Sequence, residues 1–282
     1  MTDAFALPFF RTAVLVILVL AGIHAYMGFH IVRRGVLFVD LALAQMAALG
    51  TAIALVLGLE HEGPMAYVLA LTMTLVGAAV FAWLRGRSRN IPLEAFIGIV
   101  FATAQATVFL VLEKSPSGPE HLKETLVGSL FTVDPKQVGR VALLYAIIAV
   151  VHVLLRKPFF DITNDPAAAR ARGRHLFWWD LLFYATFGLM VTSSVPIAGV
   201  LLVFGLLVIP AVAGSIATSR PGGALAVGWV FGFLASVVGL VGSVRFDMPA
   251  APSILVTLAA LLVLVGAVSS VARRRTAAAP SK

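Results

Sequence analysis

Residues 9–31 read FFRTAVLVILVLAGIHAYMGFHI, and this stretch decides the class of fold. Its only residue with a permanent charge, Arg11, stands near one end. An apolar run of about 18 residues or more is long enough to cross the hydrocarbon core of a bilayer as an α-helix. Buried strands of soluble proteins are apolar over only about 4–8 residues, so this stretch predicts a membrane-spanning helix. Because further apolar runs follow, we expect the helix to be retained and not cleaved as a signal peptide.

The same composition extends along the chain. Of its 282 residues, 60% are hydrophobic and 12% are charged, whereas soluble domains carry about 25% charged residues. The apolar runs predict nine candidate spans, at residues 8–32, 37–58, 64–84, 93–113, 137–155, 177–196, 198–217, 224–244 and 253–272. The sixth and seventh are nearly continuous, so eight crossings are the alternative. We therefore predict an all-α, polytopic membrane protein with eight or nine transmembrane helices, forming a single domain over residues 1–282.

The basic residues predict the orientation of these spans. When Arg33 and Arg34 are placed in the cytoplasm and the nine spans are counted alternately, most of the 21 Lys and Arg residues fall in cytoplasmic loops. The positive-inside rule requires this distribution, which predicts the N-terminus outside and the C-terminus in the cytoplasm. Membrane topology thus explains the net charge of +8, and no nucleic-acid partner is expected. The absence of cysteine excludes thiolate metal ligands and cysteine nucleophiles.

Polar side chains inside the first two spans are the main candidate functional residues, since such groups are costly in a bilayer. The two spans are predicted to form a hairpin about Gly35. His30 and Asp40 each stand five residues from Gly35 in the sequence, or roughly 7 Å along their helices. By the same rise, His24 and Gln45 lie roughly 15 Å from the turn. The hairpin thus predicts polar side chains at two depths in the membrane. His30 and Asp40 share one depth, and His24 and Gln45 share the other.

Imidazole and carboxylate side chains together suit first-row divalent metal ions such as zinc, iron or manganese. We therefore predict Asp40 and His24 as metal ligands, with Gln45, His30 and Gln105 of the fourth span along the same pathway. There is a structural alternative. His30 and Asp40 would then pair with the basic residues of the turn or with water, and the glutamines would form hydrogen bonds between helices.

The inner loop, about residues 158–176, contains a predicted helix of about two turns. Asp165 suits its N-cap, Pro166 its first position, and Gly173 its C-terminal stop. Its exposed basic residues are predicted to be Arg170, Arg172 and Arg174. Such a helix is either an ordinary capped loop or a docking helix for a cytoplasmic partner. A second long loop, about residues 114–136, is predicted on the outside.

Several short blocks resemble, in order and spacing, the permease family of ATP-binding-cassette importers for zinc, manganese and iron. They are RRG at 33–35, FVD at 38–40, AALG at 47–50, IGIVF at 97–101 preceded by Glu94, GSLF at 128–131, the segment 165–173, DLL at 180–182, AGVLLV at 198–203, LVIPA at 207–211 and DMP at 247–249. Together they run through nearly the whole chain.

This resemblance implies a homodimeric, all-helical permease in the inner (plasma) membrane, with the metal pathway at the dimer interface. It implies two further partners, a separate ATP-binding subunit and an extracytoplasmic metal-binding protein. The inner helix, with Asp165, Pro166, Arg170, Arg172 and Gly173, would couple to the ATP-binding subunit. The chain lacks a Gly-x-x-x-x-Gly-Lys-Ser/Thr phosphate loop, so ATP hydrolysis must come from another subunit. We expect a transporter subunit and not an enzyme, with a divalent metal ion as cargo and no permanent cofactor.

The chain departs from the family pattern at the expected metal site. The family pairs an Asp with a His four residues later on the second span. When the sequences are aligned on Gly50, Gln45 stands at the His position here and Asp40 is displaced by one residue. We hypothesise that His24, at the depth of Gln45, supplies the missing imidazole.

Two other functional classes remain as alternatives. An ion-coupled secondary transporter of a cation or metal chelate usually carries more paired charges within its spans, and only Asp40 qualifies clearly here. An intramembrane metalloenzyme would need a denser set of ligands such as His-Glu-x-x-His, which the chain lacks.

Overall fold

The computed structural model describes residues 7–60, 63–85, 87, 91–113 and 125–277. In these ranges the chain forms the helices α1 (Pro8–Arg34), α2 (Val39–Val56), α3 (Pro64–Leu84), α4 (Leu93–Leu112), α5 (Pro135–Leu154), α6 (Arg156–Asn164), α7 (Pro166–Ala171), α8 (Leu176–Ala217), α9 (Pro221–Phe246) and α10 (Ala250–Ala277). No strand occurs in the described ranges. The predicted all-α class is confirmed.

Eight of these helices are long and apolar enough to cross a membrane: α1 to α5 and α8 to α10. Several of them carry large apolar side chains on their outer faces, such as Leu110 of α4 and Val263 of α10, as a lipid-facing surface requires. The chain is therefore a multi-pass membrane protein, and the prediction of eight or nine spans is confirmed.

The predicted sixth and seventh spans form one element, α8, with a break inside it. Gly199 has φ 74° and ψ 154°, far from helical values, so two helical segments meet there. These dihedral angles are essentially restricted to glycine. Residues 126–128 pack on the break, because a Cβ on Gly199 would overlap backbone atoms of Leu126, Val127 and Gly128. The amide of Ser129 donates to the carbonyl of Ile197 at 3.1 Å, which gives this carbonyl near the break a hydrogen-bond partner.

The described residues separate into two packing units. The first contains α1 up to Phe29, residues 130–132 and the chain from Gly205 onward. Within it, Gly28 of α1 lies directly on the backbone of Leu207, where any side chain would overlap main-chain atoms. Small residues allow membrane helices to approach this closely.

The second unit contains residues 30–129 and 133–204. In this unit, α2 packs on α4 through a buried cluster of Ala52, Val108 and Leu112. Helix α3 is joined to the first part of α8 by a hydrogen bond of 3.0 Å between the hydroxyls of Thr74 and Thr192. The helix that carries Asp40 therefore packs directly on α4.

The loop between α5 and α8, which was predicted to be cytoplasmic, contains two short helices where only one was predicted. Leu155 ends α5 and begins α6, which the sequence analysis did not identify. The predicted capped helix is confirmed as α7. The Asp165 carboxylate accepts from the amide of Ala168 at 2.9 Å, and Gly173 ends the helix with φ 79°.

The loop at about residues 114–136, which was predicted on the outside, is only partly described. Residues 114–124 lie outside the described ranges, and residues 125–127 form a short helical turn. Helix α5 then begins at Pro135, where the Asp134 side chain accepts from the amide of Lys136.

Candidate functional site

Asp40 is a buried carboxylate at the beginning of α2. It is the second residue of the helix and only 2% exposed. Neither of its carboxylate oxygens accepts a hydrogen bond of ordinary geometry from the described residues. The positive end of the α2 dipole, with the amides of Asp40 and Leu41, partly compensates the charge. A buried carboxylate with so few donors has oxygen lone pairs available for a cation or a proton.

His24 is fully buried in α1, within the first unit. Its Nδ1 lies 2.7 Å from the carbonyl oxygen of Leu20, one turn earlier. Because a carbonyl only accepts, Nδ1 carries the proton and donates it, which leaves the lone pair of the neutral ring on Nε2. A backbone carbonyl fixes the tautomer of metal-binding histidines in the same way.

His30 is also buried, and its neighbours differ from those predicted. Its Nδ1 lies 2.8 Å from the hydroxyl of Thr163 in α6, and its ring packs edge-on against Phe160 and Phe183. The sequence analysis placed His30 and Asp40 at one depth, and the described residues give no hydrogen bond to the Asp40 oxygens. His30 instead contacts α6, which packs beside the end of α1 and offers the Thr163 hydroxyl.

The two glutamines occupy different environments. Gln45 is 6% exposed on α2, whereas Gln105 is half-buried on α4. The described residues contain no group of three His, Asp or Glu side chains arranged to hold a metal ion. The structure therefore places Asp40 and Gln45 on one helix but does not assemble the predicted residues into a preformed metal centre.

The strongest polar cluster near α1 consists of Arg34, Arg85 and Asp180. Oδ1 of Asp180 accepts from Nη1 of Arg34 at 2.9 Å and from Nη1 of Arg85 at 2.6 Å. The Arg34 side chain has no exposed surface, and its guanidinium lies 3.9 Å from the centre of the Phe183 ring. The cluster joins the ends of α1 and α3 to the beginning of α8.

Neither this cluster nor the contact between Thr163 and His30 was predicted from the sequence. A signal for the cluster exists in the sequence FWWDLLFY at 177–184, where Asp180 is the only charged residue in an apolar run. A lone carboxylate in such a run requires a basic partner. The identity of that partner depends on the packing of helices distant in sequence.

One of the two short helices, α6, adjoins this cluster. Nε of Arg34 donates to the Thr163 hydroxyl at 2.9 Å, and Nη1 of Arg33 donates to the Asn164 side chain at 2.9 Å. On the other side of the same turn, the amide of Leu37 donates to the carboxylate of Glu94 in α4 at 3.0 Å. The turn between α1 and α2 is therefore held by α4 as well as by α6.

The basic residues of α7 are not equally exposed. Arg170 is exposed, and the Arg172 side chain is 55% exposed. Arg174 was predicted to be exposed, but it is half-buried, 3.1 Å from a carboxylate oxygen of Asp161 and 5.9 Å from the Trp179 ring. Because Arg174 pairs with Asp161 of α6, the accessible basic face is formed by Arg170 and Arg172.

Comparisons with known proteins agree with this architecture. Residues 6–269 match the ABC 3 transport family. The chain is 22% identical over 263 residues to a probable iron transport system membrane protein of Haemophilus influenzae, covering 93% of this chain and 90% of that one. It is 22% identical to the manganese transport system membrane protein MntC of Listeria monocytogenes, over 85% and 83% of the two chains.

A solved structure supports the same fold. The chain superposes on PsaBC from Streptococcus pneumoniae, determined in complex with Fab, with a TM-score of 0.77 and 21% identity. The superposition covers 92% of this chain and 91% of the other. The match over residues 6–269 shows that the chain belongs to the ABC 3 transport family.

Proposed function

We propose that this chain is the membrane subunit of an ATP-driven importer for a divalent metal ion, with manganese or iron favoured over zinc. The family match over residues 6–269 carries the proposal. Two relatives named above are described as iron and manganese transport proteins, which favours those two ions. The predicted excess of basic residues on one side supports a plasma-membrane location with the N-terminus outside and the C-terminus in the cytoplasm.

Asp40 is proposed as the principal contact for the ion in transit. Its buried oxygens without ordinary hydrogen bonds support this role, because a hard or borderline divalent cation prefers carboxylate oxygen. His24 is proposed as the second ligand through Nε2, with Gln45, His30 and Gln105 along the pathway. A pathway at a homodimer interface would supply further ligands from a second copy, so one chain need not contain a complete metal centre.

The ATP-binding subunit is proposed to dock on α7 and its caps. Helix α7 is short and is bounded by Asp165, Pro166 and Gly173. Its exposed side carries the positive charges of Arg170 and Arg172. An extracytoplasmic metal-binding protein is proposed as the third component, delivering the ion to the opposite face. In this arrangement the chain itself performs no chemical step.

The direct test is co-purification of the tagged chain from its native host under mild solubilisation. We expect an ATP-binding subunit in the eluate and vanadate-sensitive ATP hydrolysis that responds to one metal ion. A solitary chain without ATPase activity would overturn the proposal and favour an ion-coupled secondary transporter. A charge-reversed variant, Arg170→Glu with Arg172→Glu, is expected to lose the subunit.

The matched control for this test reverses two exposed basic residues at the other predicted face. Lys136→Glu with Arg140→Glu alters α5 near the outer loop. Because these residues stand far from α7 in the predicted topology, the ATP-binding subunit is expected to co-purify as with the unaltered chain. Retention of the subunit by the Arg170→Glu, Arg172→Glu variant would overturn docking on α7, and loss from both variants would show that the effect is not specific to α7.

A further inference from the structure

Three polar contacts tie the end of α1 to the end of α6. Nε of Arg34 donates to the Thr163 hydroxyl at 2.9 Å, and that hydroxyl lies 2.8 Å from Nδ1 of His30. Beside them, Nη1 of Arg33 donates to Oδ1 of Asn164 at 2.9 Å. Thr163 is 4% exposed and His30 is fully buried, so water has little access to the first two contacts.

The Thr163 hydroxyl occupies the centre of this arrangement. Since its oxygen accepts from the charged Arg34, its own proton is available to donate to Nδ1 of His30. Hydrogen bonds with an ionised donor are stronger than neutral ones, particularly in a site with little water. One hydroxyl group therefore holds two side chains of α1, and threonine or serine can make both contacts.

The contact lies between two segments with different proposed roles. Asn164, next to Thr163, directly precedes Asp165, the N-cap of the proposed docking helix α7. On the other side, Arg34 leads through a short turn into α2, where Asp40 lies in the first helical turn. No long flexible segment separates the docking helix from Asp40 along this route.

The surroundings of Arg34 make this connection stiff. Asp180 holds the same guanidinium at 2.9 Å and also binds Arg85 at 2.6 Å. The turn that follows is fixed by the bond from the Leu37 amide to Glu94. Buried charge clusters and close-packed helices change between discrete arrangements and do not deform gradually. If α6 moves, we therefore expect the turn between α1 and α2 to move with it.

We propose that Thr163 is a positioning residue for transport, which transmits the displacement of α7 through Arg34 to the α1–α2 turn and so to Asp40. This inference rests on the proposed function, because it requires an ATP-binding subunit that moves α7. It adds a specific route between the subunit that hydrolyses ATP and the carboxylate that contacts the ion.

The test measures how many metal ions are transported per ATP hydrolysed by the complete transporter in lipid vesicles. Thr163→Val keeps the side-chain volume but removes the hydroxyl, whereas Thr163→Ser keeps the hydroxyl. For Thr163→Val we expect ATP hydrolysis to continue, while the number of ions transported per ATP falls about tenfold. This factor corresponds to the free energy of one hydrogen bond to a charged group. Thr163→Ser is expected to restore the ratio.

Thr74→Val serves as a matched control. It removes another buried threonine hydroxyl of the same unit, one that bonds Thr192 and does not touch the α1–α6 contact. We expect its ratio of ions to ATP to be unchanged. An equal fall in both valine variants would assign the effect to general loosening of the helices and overturn the proposal, as would a normal ratio in Thr163→Val.

A second variant covers the case in which the Thr163→Val complex fails to assemble. Arg34→Lys keeps a positive charge beside Asp180 but removes the Nε donor to Thr163, and the same fall in ratio is expected. A normal ratio in Arg34→Lys would overturn the proposal. Failure of the proposed function would look different, because the unaltered complex would then show no ATPase activity or no metal uptake.

Discussion

Arg34 and Asp180 form an ion pair of 2.9 Å in which the arginine side chain has no exposed surface and the aspartate side chain is 2% exposed. Arg85 donates to the same carboxylate oxygen at 2.6 Å. Charges withdrawn from water require partners, because an isolated buried charge costs several kcal/mol. A single carboxylate therefore holds the ends of α1 and α3 against the beginning of α8.

Asp180→Ala is expected to destabilise the chain by about 3–5 kcal/mol, since it leaves two neighbouring guanidinium groups without their anion. The measurement is thermal unfolding of the purified chain in detergent, followed by tryptophan fluorescence. Asp161→Ala is the control, because Asp161 pairs with Arg174 where the carboxylate side chain is 36% exposed. Exposed pairs contribute less than about 1 kcal/mol, so a small change is expected. Equal losses in the two variants would contradict the importance of the buried cluster.

His24→Gln is expected to abolish metal uptake while the transporter still assembles. Glutamine retains a donor near the Leu20 carbonyl but cannot replace the imidazole Nε2 as a metal ligand. The measurement is uptake of radioactive manganese or iron by cells that express the transporter at matched levels. His152→Gln is the matched control, because His152 is buried against Thr186 and Phe159 and has no proposed role in transport. Normal uptake by His24→Gln would remove His24 from the pathway.

Asp40→Asn is expected to reduce metal uptake to background, since it removes the negative charge but keeps the size of the side chain. The ATP-binding subunit should still co-purify, because Asp40 is buried in α2 and does not belong to α7. The experiment compares uptake with the amount of assembled complex. Uptake that persists in Asp40→Asn would show that the ion follows a route without this carboxylate.

Gly199→Ala is expected to destabilise the chain by at least about 1–3 kcal/mol, the cost of a non-glycine residue in this backbone region. The added Cβ would also overlap backbone atoms of residues 126–128. Gly98→Ala is the control, because Gly98 lies within α4 with nothing near its missing Cβ, so alanine there is expected to be neutral or slightly stabilising. Thermal unfolding distinguishes the two. A tolerated Gly199→Ala would mean that the break in α8 does not require glycine.

The predicted orientation can be tested directly because the chain contains no cysteine. Single substitutions Lys136→Cys and Arg172→Cys each provide one thiol at an exposed position. A maleimide that cannot cross the membrane is expected to label intact cells only at position 136 and broken cells at both positions. Labelling of position 172 in intact cells would reverse the proposed orientation.

The spans and the capped helix α7 could be predicted from the sequence because both depend on local properties. A membrane helix satisfies its own backbone hydrogen bonds, so an apolar run of sufficient length is enough to identify it. Asp165, Pro166 and Gly173 act on their immediate neighbours in the same way. No long-range contact is needed for either feature.

The polar contacts could not be predicted because they join residues distant in the chain. The spacing about Gly35 placed His30 and Asp40 at the same depth, but depth does not specify which neighbour each side chain contacts. Thr163, on a helix that the sequence analysis did not identify, reaches His30 instead. The predicted boundary between the sixth and seventh spans, at residue 197, lies close to the break at Gly199. The non-helical conformation of Gly199 could not be predicted, because it depends on the loop packed against it.

The ion pair between Arg34 and Asp180 also has a consequence for biogenesis. A ribosome releases α1 and α3 into the membrane long before it synthesises Asp180, so both arginines enter without their counter-ion. Until α8 arrives, the early helices lack the carboxylate that holds their ends together. The cluster of Arg34, Arg85 and Asp180 can therefore form only after α8 has been synthesised.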